Sequence, residues 1–240
     1  MTTQPNKSAP APYWTWAGLS EGARRSAPLF PGTIVFSMAF GTIAAQKGLS
    51  LTDTVLMNAI VFAGSAQLVA IEVWENPLTL GTIISLVTIT AIVNARFILM
   101  GASLRPWLGQ LPAWQAYPAL LQNVDANWIV ATRYRADGGG DVSIYLGSGL
   151  ALWAIWVAAV IPGHLLGAFI KDPTRFGFDM MLPIFFSAML VQLWRGPRRA
   201  IGWAVAGVVA LAASYLIAGY WFIVIGAVTG SIAGGFIDDE

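Results

Sequence analysis

The sequence predicts an all-α, polytopic membrane protein with seven or eight transmembrane helices, of which eight are favoured. Of its 240 residues, 57% are hydrophobic and only 10% are charged, whereas soluble domains carry about 25% charged residues. The mean hydropathy is +0.67. From Phe30 onward, apolar runs follow one another with short polar, Pro or Gly breaks. A chain with so little polar surface must face lipid, which excludes a soluble enzyme.

Composition also excludes several classes of function and of binding site. The net charge of +1 is too balanced for a nucleic-acid binder. Cysteine is absent, which excludes disulfides and Cys metal sites, and the single histidine, His164, excludes multi-His metal clusters. The sequence contains no Walker loop, dinucleotide fingerprint or nucleophile elbow. We therefore expect neither an enzyme nor a bound cofactor or metal.

Apolar runs of about 20 residues locate the spans. The predicted spans are residues 30–47, 53–74, 78–103, 143–170, 178–195, 199–217 and 220–237. A weaker segment, 118–134, starts at Pro118, a plausible first helical position. It carries four polar side chains, so it is either a span enclosed by other helices or a re-entrant element.

These spans define the expected domain organisation. Residues 1–27 form a cytoplasmic tail, because they contain several prolines and no apolar core. Residues 28–237 form one transmembrane domain with halves at about 28–135 and 142–237, and residues 238–240 form an acidic tail.

Loop charges favour eight spans. With eight spans and a cytoplasmic N-terminus, eight Lys and Arg residues lie on the inner side and four on the outer side. If 118–134 does not cross, the division becomes five inside and seven outside. An inner excess is the usual arrangement, so both termini are expected in the cytoplasm.

A weak internal repeat relates the two halves. At an offset of 122 residues, Gly41 aligns with Gly163 and Ser65 with Ser187. Duplicated halves are common in transporters. Eight spans would make the repeats parallel and seven would make them inverted, so span number and repeat polarity are one question.

Three polar side chains in the second span form the first candidate site. Asn58 and Ser65 are seven residues apart and share a helical face, whereas Gln67 points away from them in an unbroken helix. A helix opened at Gly64-Ser65 would bring all three together and free backbone N–H groups for a carboxylate. The alternative is that the small residues only allow close helix packing.

The third span and the weaker segment supply the charged candidates. Asn94 and Thr90 stack on one helical face, and Arg96 either snorkels to the interface or clamps a carboxylate. Asp125 either pairs with Arg96 or carries protons. His164 is interpreted as a helix-packing residue in preference to a proton relay.

These motifs resemble the AzlC family of branched-chain amino acid permease subunits, over residues 28 to 190. The points of similarity are Pro31-Gly32, Phe40-Gly41, Phe62-Ala63-Gly64-Ser65-Ala66-Gln67, Asn94-Ala95-Arg96, Leu99-Met100-Gly101, Ser103-Leu104, Trp153 and Gly177-Phe178-Asp179. Two positions depart from the family pattern: Phe97 replaces a usual His, and Ala126 replaces the second residue of a usual Asp-Glu pair.

The resemblance implies an exporter of Val, Leu, Ile and sometimes Met in the bacterial inner membrane. It implies proton-gradient energy and a small hydrophobic partner subunit of the AzlD type. On this hypothesis a midplane site contains Gly64, Ser65, Gln67, Asn58 and Asn94, with Arg96 for the carboxylate and Asp125 as ion-pair or proton residue. A passive channel or pore for a small polar solute is the alternative.

Overall fold

The protein is all-helical, as predicted, in the part of the chain that the structure describes. This computed structural model describes residues 14–74, 77–169, 200–217 and 221–238, with isolated residues between 180 and 198. The helices are α1 (Trp16–Ser26), α2 (Phe30–Gln46), α3 (Leu51–Val61), α4 (Gly64–Glu72), α5 (Leu80–Asn94), α6 (Arg96–Leu108), α7 (Ala113–Leu120), α8 (Asp125–Ala136), α9 (Ser143–Phe169), α10 (Ala200–Leu216) and α11 (Trp221–Asp238).

Helices α1 and α2 lie side by side with α9 and run in the same direction. A 3₁₀ turn, Ala27–Leu29, joins α1 to α2 into one helical stretch. Gly18 contacts Ser143 near the beginning of both stretches, and Thr42 contacts Gly167 near their ends. The residue numbers of the contact partners therefore increase together along both stretches, so the two stretches are parallel.

Helix α1 is an element that the sequence analysis does not predict. Thr15 caps it by accepting a hydrogen bond from the Gly18 N–H, 3.0 Å away. Its buried residues are Gly18, Gly22 and Ser26, which allow the backbones of α1 and α9 to approach closely. The contact residues recur at every fourth position, which is the small-residue spacing of close helix packing, and the prediction from apolar runs does not use this signal.

The crossing of α2 and α9 agrees with the repeat at an offset of 122. A Cβ atom on Gly41 would overlap the Val160 carbonyl oxygen, and a Cβ atom on Gly163 would overlap the Met38 carbonyl oxygen. Gly163 lies 122 residues after Gly41, and Met38 lies 122 residues before Val160, so the two contacts correspond to each other. Positions 122 residues apart thus make equivalent contacts in one parallel crossing.

Two predicted segments are broken. The predicted span 53–74 is divided into α3 and α4 at Phe62-Ala63. Segment 118–134 is not one helix, because residues 121–124 separate α7 from α8, and Pro118 lies inside α7 and not at a helix start. The second break contains the polar residues Gln122 and Asn123, whereas the first, at Phe62-Ala63, is apolar.

Three described helical stretches are long and apolar enough to cross a membrane, by length and composition. They are Trp16–Gln46, Leu80–Leu108 and Ser143–Gly167. Shorter apolar helices include α3, α10 and most of α11. The last two correspond to the predicted spans 199–217 and 220–237 and pack antiparallel through small residues, with Gly226 and Gly230 against Ala206. The predicted span 178–195 and the Gly177-Phe178-Asp179 motif lie outside the described residues, apart from isolated positions.

Candidate functional site

The break between α3 and α4 is the first feature of the site. Phe62 ends α3 with φ at 38°, in the left-handed region that side chains other than glycine seldom adopt. Helix α4 then begins at Gly64. A Cβ atom on Gly64 would lie 2.7 Å from Phe36 Cε1 and 2.7 Å from Trp156 Cη2. The glycine therefore lets two aromatic rings close against the beginning of α4, so both alternatives left open by the sequence, an opened helix and close packing of small residues, are found here.

Buried amides hold this break in place. Gln67 donates from Nε2 to Asn58 Oδ1 over 3.0 Å, and its Oε1 accepts the Ala63 N–H at 3.4 Å. Asn58 donates from Nδ2 to Ser37 Oγ at 3.2 Å and to the Trp156 carbonyl oxygen at 2.8 Å. The network joins α2, α3, α4 and α9. Asn58 and Gln67 are 0% and 1% exposed, so these bonds stand in for those lost where the helix opens.

The charged part of the site joins three helices. Arg96, the first residue of α6, donates from Nη2 to Ser65 Oγ of α4 and lies 2.9 Å from Asp125 Oδ2 of α8. The two side chains are 25% and 18% exposed. The Arg96 guanidinium also lies 5.2 Å from the centre of the Phe97 ring, a cation–π distance. Of the two readings of Arg96, the structure supports an inward position and not a snorkelling one.

A cavity of about 340 Å³ lies against this ion pair. Such a volume is at the lower end of the range of about 300–1,000 Å³ that is typical of small-molecule sites. Its polar lining includes Ser65 and Asp125. Its apolar lining includes Phe36, Phe62, Val124, Ile129, Leu152 and Trp156.

Two helices begin at the cavity wall. Gly64 and Ser65 open α4, and Asp125 opens α8. The first N–H groups of a helix have no partner within it, and the helix dipole places partial positive charge there. The cavity therefore combines a carboxylate, a neighbouring guanidinium, two positive helix ends and apolar walls. This arrangement can bind a small molecule that carries both charges and an apolar group.

The predicted site residues divide into three groups. Gly64, Ser65 and Asp125 line the cavity, and Arg96 contacts two of them. Asn58 and Gln67 lie behind the wall in the amide network. Asn94 lines a separate shallow depression on α5 together with Thr90, as their spacing of four predicts.

His164 is away from this cavity. Its Nδ1 lies 3.1 Å from Thr54 Oγ1, and the ring is buried between α3 and α9. The contact fits the helix-packing interpretation. Within the described ranges, no group of three or more His, Cys, Asp or Glu residues could hold a metal ion.

Sequence reasoning missed Phe36 and Trp156. Both lie in long apolar runs of α2 and α9, where an aromatic residue reads as ordinary lipid-facing or core surface. Their ring centres are 5.5 Å apart. The repeat alignment of Gly41 with Gly163 marks equivalent positions and not neighbouring ones, so the contact between α2 and α9 that brings these rings together comes from the structure.

Comparisons with known proteins agree with the resemblance. The sequence profile described as AzlC protein matches residues 28–170, more than half of the chain and all of the cavity lining. The "Branched-chain amino acid transport protein AzlC" of Bacillus subtilis (strain 168) is 21% identical over 226 residues, covering 89% of this chain and 85% of the relative. No solved structure matches the chain. The chain therefore belongs to the AzlC family, a family of membrane transporters and not of enzymes.

Proposed function

We propose that this protein is a secondary transporter that exports branched-chain and other neutral amino acids, namely Val, Leu, Ile and Met, across the inner membrane. The observation that carries the proposal is the Arg96–Asp125 pair, 2.9 Å long, whose carboxylate lines a mostly apolar cavity. The name of the Bacillus subtilis relative supports the substrate class.

The cavity offers a partner for each part of such a substrate. Arg96 and the positive end of α4 at Ser65 would bind the carboxylate. Asp125 would bind the ammonium group. Leu152, together with the aromatic and aliphatic residues beside it, would surround a branched side chain, whose burial contributes about 25 cal/mol per Å².

The ion pair would keep Arg96 and Asp125 together while no substrate is bound. Removing one partner of a buried ion pair costs about 3–5 kcal/mol, and a partly exposed pair costs less. A zwitterion brings both opposite charges, so it can separate Arg96 from Asp125 and replace each partner. A neutral solute cannot do so. The pair would therefore select zwitterions over other small molecules.

The direction, energy source and partner of transport form the finer part of the proposal. We propose that export is driven by the proton gradient and that the protein works with a small AzlD-type subunit, as the resemblance described in the sequence analysis implies. Asp125 is the proposed proton carrier among the cavity residues, since it is the carboxylate in the described lining.

Export is tested by feeding cells a dipeptide that contains valine or leucine. Cells without the gene should accumulate the free amino acid, whereas cells with the gene should keep a low internal pool. Dipeptide uptake is measured in parallel as the control. Equal internal pools in both strains, with equal dipeptide uptake, would contradict the proposed substrate class.

A further inference from the structure

Four of the described helices are too short to cross a membrane alone. Helices α3, α4, α7 and α8 have 11, 9, 8 and 12 residues. At a rise of about 1.5 Å per residue each is about 12–18 Å long, roughly half of a hydrocarbon core of about 30 Å. They form two consecutive pairs, α3–α4 and α7–α8, with a break inside each. The direction of each member along the long stretches decides whether its pair crosses the membrane or turns back.

Helix α3 runs from the end of α9 towards its middle. Thr54 Oγ1 lies 3.1 Å from His164 Nδ1, near the end of α9. One turn further along α3, Asn58 donates to the Trp156 carbonyl oxygen over 2.8 Å, in the middle of α9. The residue numbers of α9 fall as those of α3 rise, so the two helices are antiparallel.

Helix α4 returns to the end from which α3 comes. It begins at Gly64, where a Cβ atom would lie 2.7 Å from the ring of Trp156 in the middle of α9. At its other end, the Glu72 carbonyl oxygen accepts a hydrogen bond from Lys47 Nζ over 2.9 Å, and Lys47 directly follows α2. The buried cluster at this level joins α4 to α2 and to the loop before α3; it contains Leu68, Ile71, Phe40, Ala44 and Leu49. The α3–α4 pair thus enters and leaves at the ends of α2 and α9.

Helix α7 begins at the opposite end of the long stretches. The Trp114 ring in its first turn lies 6.2 Å from the Trp14 ring, centre to centre, and Trp14 precedes α1. After the end of α7, Asn123 donates from Nδ2 to the Phe97 carbonyl oxygen over 3.2 Å. Phe97 is the second residue of α6 and follows Arg96 of the ion pair. Helix α7 therefore runs from the level at which α1 begins to the level of the ion pair.

Helix α8 returns to the end from which α7 comes. It begins at Asp125 in the ion pair, and Trp128 Nε1 then donates to Ser103 Oγ of α6 over 2.8 Å. Near the end of α8, the Tyr134 hydroxyl accepts a hydrogen bond from the Asp141 N–H over 3.2 Å, two residues before α9 begins. The α7–α8 pair thus enters and leaves where α1 and α9 begin, opposite to the α3–α4 pair.

We propose that α3–α4 and α7–α8 are re-entrant hairpins that enter the membrane from opposite sides and meet at the cavity. Phe62 and Ser65 at one tip and Val124 and Asp125 at the other line the cavity, and Arg96 bridges the two tips. Irregular backbone at membrane depth is tolerated where it is buried in protein or lines a cavity. The chain then crosses the membrane three times between residues 16 and 169. The binding site lies at mid-depth, with one hairpin between it and each side.

The positions of the basic residues agree with this topology. Residues 14–169 contain seven Lys and Arg residues. Arg96 lies in the ion pair, and Lys47 lies at the end of α2. The other five lie towards the end at which α1 and α9 begin: Arg24, Arg25, Arg105, Arg133 and Arg135. Because an excess of Lys and Arg marks the cytoplasmic side, α7–α8 enters from inside and α3–α4 from outside.

Labelling of single cysteines tests this topology, since the natural chain has no cysteine. Thr52→Cys and Leu78→Cys flank α3–α4, and Gln110→Cys and Asp137→Cys flank α7–α8; all four positions are exposed. A membrane-impermeant maleimide should label the first two variants only from outside intact cells and the last two only in inverted membrane vesicles. Labelling of each variant after solubilisation in detergent is the control that its cysteine reacts.

If residues 53–74 and 118–134 were simple spans, the two cysteines that flank each segment would be labelled from opposite sides. That result at either segment would overturn the inference. Labelling of all four variants from one side would also overturn it, because the hairpins would not enter from opposite sides. The experiment involves no substrate, so its outcome is separate from that of the proposed function.

Discussion

The amide network behind the cavity predicts a measurable coupling between Asn58 and Gln67. Replacing Asn58 with Ala removes its hydrogen bonds to Ser37, the Trp156 carbonyl and Gln67. Hydrogen bonds between transmembrane helices contribute about 0.6 kcal/mol on average and at most about 1.7 kcal/mol. Three such bonds give a loss of about 2 kcal/mol for Asn58→Ala. Gln67→Ala removes two bonds, one of them the bond shared with Asn58, and should cost about 1 kcal/mol.

The hydrogen bond between Asn58 and Gln67 determines how stable the double variant should be. Once Asn58 is absent, Gln67 has already lost that partner, so the second change costs less than it does alone. The sum of the two single losses should therefore exceed the double loss by about 0.6–1.7 kcal/mol. The assay is the free energy of unfolding of the single and double variants in detergent, compared under one set of conditions.

Ser148→Ala is the matched control for this cycle. Ser148 donates to Asn127 Oδ1 in a separate buried contact, and eight residues of α9 place it about 12 Å from Trp156 along the helix. Its effect should add to that of Asn58→Ala. If Asn58→Ala and Gln67→Ala are also additive, the amide bond that closes the helix break is absent and the reasoning is refuted.

Two further predictions concern packing and topology. Gly41→Ala should lower the free energy of unfolding by about 1–3 kcal/mol because its Cβ meets the α9 backbone, whereas Gly207→Ala, which meets no atom within 4 Å, should not lower it. The opposite ranking in thermal unfolding would disprove the close crossing. Because α2 and α9 are parallel, the end of α2 and the beginning of α9 should lie on opposite sides of the membrane. A membrane-impermeant thiol reagent should therefore label Thr52→Cys, just after α2, from outside. It should label Asp137→Cys, just before α9, only from inside. The natural chain has no cysteine that would interfere, and labelling from the same side would contradict the arrangement.

Hydropathy and residue chemistry predicted the helical class and the positions of the long apolar helices apart from α1, and they offered pairing with Arg96 as one of two roles for Asp125. These features follow from local composition and from the cost of a charge in lipid. The broken helix at Gly64 was one of two open readings. Its confirmation required the contacts of Gln67, which depend on where α2 and α9 lie.

Features that arise from distant packing were not predictable from the pattern. Helix α1 packs Gly18 and Gly22 against α9, and their small-residue spacing of four was overlooked because the prediction relied on apolar runs. The break between α7 and α8 is bridged by a partly buried hydrogen bond from Asn127 Nδ2 to the Gln122 carbonyl oxygen, 2.8 Å long, which a hydropathy pattern does not reveal. Trp156 became a site residue only because the structure places it opposite Gly64.

The most direct test of the central claim is leucine counterflow in liposomes that contain the purified protein with its partner subunit. Arg96 contacts both Ser65 and Asp125 through Nη2. In the proposed site its planar guanidinium would bind a substrate carboxylate through two donors, which the point charge of lysine cannot reproduce. We expect saturable counterflow for the wild type and at least about a tenfold loss of counterflow for Arg96→Lys. The control variant Arg105→Lys should keep the wild-type rate, because Arg105 is an exposed residue of the same helix. Wild-type counterflow in Arg96→Lys, or leucine flux without counterflow in the wild type, would contradict this account.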